Sequence, residues 1–408
     1  MAVAVKKEKT KFAPVREVLS EEDHDNYTKF QDTSKLEWFC RTSNHKKFKS
    51  HSLLKAVRNP TETRIETQTL YFTDLTNDKC GFIQLLYSSV MGGIYKGFQL
   101  NFKVFKASSS DESEENIDIW ESFKIENIKD FDTLRVESDN VIFHFVPLKD
   151  ASSDGFAQLS IKIDIPKGSA SNCPLKDLKV DMVVNLQEGF VINPDGSNYY
   201  LDKSISLEDL AKRGSSATSK RMIRHVFVPR GFCNGTISYK KNGQPVHLSL
   251  KDTPMLYLDA VQGLIPNKAA SKWNFLCFNG KKLSTMCIEF TTTKEYGSTT
   301  VTIWAVSDKD KILEVGSSVN DHAVKFPTTQ EDEQNGWKYP TSITFPRGFE
   351  EANLRLVNRY DIMGELPAII KSIAENLANM KPFIYQFCQR SKFEDDEGIS
   401  IIESTFIS

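Results

Sequence analysis

The sequence predicts a mainly β, antiparallel protein of two domains, and three observations carry that expectation. Apolar residues alternate at period two in run after run, the signature of half-buried strands. The 27 Phe, 12 Tyr and 5 Trp favour strands and aromatic-lined interiors. The 408 residues exceed what one core usually organises, since single domains mostly stop growing near ~250 residues. Apolar usage of 39% and charged usage of 26% are those of an ordinary globular chain, which argues against disorder or membrane embedding as the global state. A net charge of −2, with no basic element beyond the N-terminus, argues against nucleic acid as a partner.

Residues 1–60 read as a basic tail and lead-in: Lys6, Lys7, Lys9, Lys11 and Arg16 precede the acidic run Glu21-Glu22-Asp23-His24-Asp25. A solvated tail is the expectation, and weak contact with an anionic membrane surface is the sharper one, at about 1 kcal/mol per basic residue. The first residues lack the continuous apolar core of a secretory signal, and no stretch approaches the ~20 apolar residues of a membrane span. Seven scattered cysteines without a CxxC point to free, mostly buried thiols in a reducing compartment, and the expected location is the cytoplasm, with the nucleus as the alternative.

Residues 61–205 form the first expected domain. Its strands are Thr63 to Phe72, Gly81 to Ser88, Phe98 to Phe105, Val141 to Val146, Leu159 to Ile165 and Leu178 to Leu186. The alternation is clearest where Phe98, Leu100, Phe102 and Val104 face one way and Gln99, Asn101 and Lys103 the other. Six or more such runs suggest a barrel or a sandwich. The period fades through a linker at 206–221 and resumes in a second domain, 222–408, which opens on Met222 to Arg230. Leu366, Ile369, Ile370, Ile373, Leu377 and Met380 recur at helical spacing, so a C-terminal helix is expected before Pro382. The tail IIESTFIS reads as a last strand.

The densest information runs from Leu258 to Val306. Trp273, Phe275 and Cys277 alternate with Asn274, Leu276 and Phe278, Asn279-Gly280-Lys281-Lys282 turns the chain, and Met286, Ile288 and Phe290 alternate again. In the next strand both faces carry bulk: Val301, Ile303 and Ala305 on one, Thr302, Trp304 and Val306 on the other. Such a strand is sandwiched between cores or lies between a core and an apolar cavity.

No nucleophile elbow, phosphate-binding glycine loop or metal-ligand spacing occurs, so no catalytic residue, cofactor or metal is assigned. The candidate ligand residues are aromatic strand positions and two polar groups: Tyr71, Phe98, Phe102, Trp273, Phe275 and Phe290, with His225 and Arg230 as head-group anchors. Aromatics at strand spacing fill cores more often than they line cavities, and the alternation is the same in both cases. His144, His225 and Glu289 are the groups that an acid–base enzyme could use.

Several ordered segments resemble the fungal survival-factor family. They are Glu66-Thr67-Gln68-Thr69, Gly81-Phe82-Ile83-Gln84, Arg224-His225 with Pro229-Arg230, AVQGLIPNKAA, WNF, EFTTTKEYGSTTV, Lys381-Pro382-Phe383-Ile384-Tyr385-Gln386 and the ending Thr405-Phe406-Ile407-Ser408. The resemblance covers the chain from about Thr61 onward. It implies two lipocalin-like antiparallel β-barrel domains, a cytosolic protein with contact to ER and Golgi membranes, a ceramide-like sphingolipid as ligand, and a link to survival of oxidative stress. The chain departs from the family pattern at Asn267-Lys268, where histidines are usual, and at Ser271-Lys272 before the WNF run. The leading expectation is a non-enzymatic lipid carrier. The alternatives are a hydratase or isomerase acting on an apolar substrate, as in the distantly related hydroxyneurosporene-synthase-like enzymes, and a stress-related interaction protein with filled barrels.

Overall fold

Each run that alternates in the sequence is extended in the structure, and nearly all of them are longer than the pattern alone suggests. The computed structural model describes residues 12–14, 27–31, 64–90, 95–108, 116–131, 134–152, 155–166, 177–193, 195–201, 222–361 and 382–407. The expected helix from Leu366 to Met380, the linker at 206–221 and nearly all of the basic tail lie outside them. The described chain is mainly β and antiparallel throughout, as the period-two pattern predicts.

The first sheet runs from the strand Ile117–Ile125 at one end, through Tyr95–Lys106, Lys79–Val90 and Arg64–Asp74, to Gln244–Gln262 and Met222–Lys241. It continues through Leu178–Leu186, Gly155–Ile165 and Val141–Ser152 to Asp130–Phe131. It curls back on itself: Phe131, at the far end, places its ring 4.9 Å from Phe98 and 6.2 Å from Tyr87, near the opposite end. The curl encloses a core of Leu70, Phe72, Leu100, Phe102, Val104 and Phe143 among others.

This topology moves the division of the chain. The sequence places it at 206–221, yet the two strands that follow belong to the first sheet, where Met222–Lys241 pairs with Leu178–Leu186 and Gln244–Gln262 pairs with Arg64–Asp74. The two sheets therefore divide the chain between Gln262 and Lys272. The physical reason is that alternation reveals a strand's faces but not its partners. Asn242 and Gly243, both at positive φ, close these long strands into a hairpin, a turn that demands left-handed residues.

The second sheet has seven strands, in the order Ile312–Val319, Thr300–Ser307, Ser284–Thr291, Lys272–Gly280, Asp396–Phe406, Phe383–Phe393 and Leu356–Asp361. A three-stranded sheet, Lys325–Glu331, Lys338–Thr344 and Glu350–Glu351, covers one of its faces. Beneath it lie Leu276, Phe278, Cys287, Val306, Phe387 and Ile402. The opposite face, carrying Phe275, Cys277, Met286, Ile288 and Phe290, packs on the outside of the first sheet against Tyr71, Phe82, Phe227, Leu256 and Leu258. A core on each side explains why Thr300–Ser307 is bulky on both faces.

The tetrapeptide that occurs twice, Pro-Arg-Gly-Phe, has no common structure. Pro229 to Phe232 lie within a strand, whereas Pro346–Gly348 form a 3₁₀ turn with Arg347 at φ 63°.

Candidate functional site

Five of the eight residues proposed from sequence meet in the apolar layer between the two sheets. Tyr71 lies with its ring 4.8 Å from Phe275 and 5.7 Å from Phe82. Trp273 and Phe290 are direct cross-strand neighbours, 5.1 Å apart, and His225 packs on both at 6.2 and 6.1 Å. Strand parity explains the grouping. Ile223, His225 and Phe227 project from one face of their strand into this layer, while Val226 and Val228 project from the other into the first core.

The other three lie elsewhere. Phe98 and Phe102 belong to the core inside the first sheet, where Phe98 packs on Tyr87 and Phe131. Arg230 sits at the hairpin turn of the second sheet. It donates from Nη1 to Ser284 Oγ at 2.7 Å and from Nη2 to the carbonyls of Gly280 and Lys281 at 3.1 and 3.2 Å. Burial lowers its pKa to about 10, opposed by the charges of Asp396 and Asp308, so it stays charged at neutral pH. Its contacts make it a tie between the two sheets rather than a head-group anchor.

The acid–base groups do not converge. His225 faces the layer, whereas Glu289 projects from the opposite face of the second sheet. There it accepts hydrogen bonds from Thr302 Oγ1 at 2.8 Å, the Val324 backbone at 3.0 Å and Asn274 Nδ2 at 3.4 Å. Alternation alone leaves Glu289 open to water, yet it is buried because the three-stranded sheet covers that face. His144 is half-buried on the first sheet, paired in register with Arg135 and Ser160.

Two polar groups enter the layer. One, His225, is 2% exposed and packed against Phe227, Trp273 and Phe290, and its Nδ1 has no hydrogen-bond partner among the described residues. Burial, reinforced by the charge of Arg224, lowers its pKa to about 3 and keeps the imidazole neutral. Phe12, from the two-residue strand Phe12–Ala13, packs edge-on against Tyr200 at 5.0 Å and Phe290 at 6.3 Å, and the Tyr200 hydroxyl donates to the Ala269 carbonyl at 2.6 Å.

The other, Lys103, is fully buried. Its ammonium lies over the rings of Trp120, Phe105 and Tyr360 at 4.4, 5.1 and 5.1 Å and donates to Gln386 Oε1 at 2.5 Å. Gln386 in turn donates to Glu403 Oε1 at 2.6 Å. Burial raises the Glu403 carboxyl above its usual range, against the hydrogen bond from Gln386 and the charge of Lys103. Burial also raises the neighbouring Tyr71 phenol, helped by Glu403. Sequence reasoning missed Lys103 by assigning it to the polar face of its strand. The available signal was Phe105, an aromatic on that same face.

Among the described residues no cluster of metal-ligating side chains occurs, and no helix is long and apolar enough to cross a membrane.

The Svf1 family model matches residues 1–408. The chain belongs to the Svf1 family. Its Svf1-family relatives include an SVF1-like protein of Saccharomyces cerevisiae, 88% identical over all of both chains. The ceramide-binding protein SVF1 of Debaryomyces hansenii is 33% identical over 86% of this chain and 87% of its own length. Among solved structures, a putative AttH from Nitrosomonas europaea aligns with a TM-score of 0.47 at 11% identity, covering 85% of this chain and 93% of its own. Two of the residues at which the sequence reading expects a departure from the family pattern, Lys268 and Lys272, point away from the layer. Lys268 is exposed and 4.0 Å from Glu295, and Lys272 reaches the other face of the second sheet, its Nζ 3.8 Å from the centre of the Phe326 ring.

Proposed function

We propose that this chain binds a long-chain lipid of the ceramide class in the layer between its two sheets and shields it from water. The observation that carries this reading is the layer itself. Aromatic and aliphatic side chains from both sheets make it up, with Tyr71, Phe275, Trp273 and Phe290 among them, and His225 and Lys103 bring polar atoms to it. That distribution suits a molecule that is mostly hydrocarbon with a small polar head. Among the described residues the two sheets share no backbone ladder, so they can part to admit a chain without breaking strand pairing.

Burial at roughly 0.8 kcal/mol per methylene gives a long acyl chain ample affinity without catalytic groups. Membership in the Svf1 family, with relatives named for ceramide binding, supports the same ligand class. Turnover is the weaker reading because His144, His225 and Glu289 do not face one another. A cytoplasmic carrier that touches ER or Golgi membranes, delivers its lipid there and contributes to survival of oxidative stress completes the proposal.

The test is lipid mass spectrometry of an organic extract of the protein, purified gently from cells that make sphingolipids. About one equivalent of a ceramide-type lipid per chain is expected. Lipid no richer than in an unrelated β-barrel control overturns the reading.

A further inference from the structure

We propose that His225 selects the head of the ligand, its Nδ1 pairing with a neutral hydroxyl or amide group and turning away phosphorylated heads. This rests on the reading that the lipid lies in the layer between the sheets.

The imidazole is 2% exposed, and Nδ1 is a buried polar atom without a partner among the described residues. Leaving such an atom unpaired is unfavourable, a cost that a ligand's polar group removes on binding. The backbone does not explain the position of the ring, since the His225 N–H is already bonded to the Gly196 carbonyl at 3.2 Å. Nor does packing alone require a polar side chain there, because Phe227, Trp273 and Phe290 surround the ring and a phenyl group has nearly the same shape. A neutral imidazole carries one donor and one acceptor nitrogen, so it can pair with either partner of a hydroxyl or amide.

The surroundings also decide what is rejected. The adjacent cation, Arg224, projects from the other face of the strand, where it lies 3.7 Å from Asp259. The walls on the His225 side are aromatic. A phosphate brought there loses its hydration while the adjacent cation, Arg224, already faces Asp259 on the other side of the strand, whereas a hydroxyl loses far less.

The experiment compares C16 ceramide, its 1-deoxy analogue and its 1-phosphate by equilibrium binding to the full chain and to His225→Phe and His225→Gln. For the unaltered chain, ceramide binds tightest, with the 1-phosphate at least tenfold weaker. His225→Phe is expected to weaken ceramide about tenfold and to level it with the 1-deoxy analogue, and His225→Gln to recover part of the loss. Melting curves establish that both variants fold. If His225→Phe folds and binds all three probes as the unaltered chain does, the anchor is overturned while the lipid site stands. If the unaltered chain binds none of the three, the lipid site itself falls and the anchor with it.

Discussion

Cys80 on the first sheet and Cys388 on the second bring their sulfurs to 3.1 Å across the layer, although 308 positions separate them in the chain. Both are fully buried, and burial, followed by the contact with Cys388, raises the Cys80 thiol well above its ordinary pKa. Thiolate is the reactive form, so an inert pair is the consequence. Cys233, Cys277 and Cys287 are also buried and free, and burial raises each of them.

These five thiols should therefore resist iodoacetamide in the native protein and react together on unfolding. Peptide mapping by mass spectrometry after timed alkylation measures this. Rapid labelling of Cys80 or Cys388 at neutral pH would mean that the sheets part far more readily than their packing implies.

Arg230 joins the sheets by three hydrogen bonds to one turn. Replacing it with Ala removes the donors from the buried Gly280 carbonyl and from the more exposed Lys281 carbonyl, while Ser284 Oγ keeps its hydrogen bond to Asn279 Oδ1, so Arg230→Ala is expected to cost about 2 kcal/mol in denaturant unfolding. Arg230→Lys should recover only part of that, because an ammonium cannot reproduce the planar fork.

The strands were legible in the sequence where one face is apolar and the other polar. The run Phe98 to Phe105 shows both the strength and the limit of that signal: its alternation located the strand, but its polar face is half-buried at Gln99 and Asn101 and fully buried at Lys103. Nothing in a period-two pattern says whether the polar side meets water or a second sheet. The strand Ile117–Ile125 escaped notice although its burial alternates from Ile119 to Ile125, because a charged residue, Glu121, stands on the buried face and an aromatic one, Trp120, on the other. Ligand residues were legible as a class, aromatics on strands, and five of the eight share a layer. The others were indistinguishable from them because a core and a cavity wall impose the same spacing.

His225 makes stability depend on acid. Its folded pKa of about 3 lies below the ordinary 6.5, so between these values the unfolded chain holds a proton that the native chain refuses. Stability from this group is complete above pH 6.5 and falls with pH by up to roughly 1.4 kcal/mol per unit until about pH 3. Urea midpoints measured from pH 7.5 to pH 4 should drop less steeply for His225→Phe than for the unaltered protein. Parallel slopes would show that His225 does not stay neutral in the folded state.

The lipid's position is the central claim, and photocrosslinking tests it most directly. A C16 ceramide carrying a diazirine in its acyl chain is loaded, irradiated, and the adducts are mapped by mass spectrometry. The expected adducts fall on the facing strands Arg64–Asp74, Lys272–Gly280 and Ser284–Thr291, at Tyr71, Phe275 and Phe290, and unlabelled ceramide competes them away. Adducts confined to the interior of the first sheet, at Phe98 and Phe102, or labelling that does not saturate, would contradict a lipid held between the sheets.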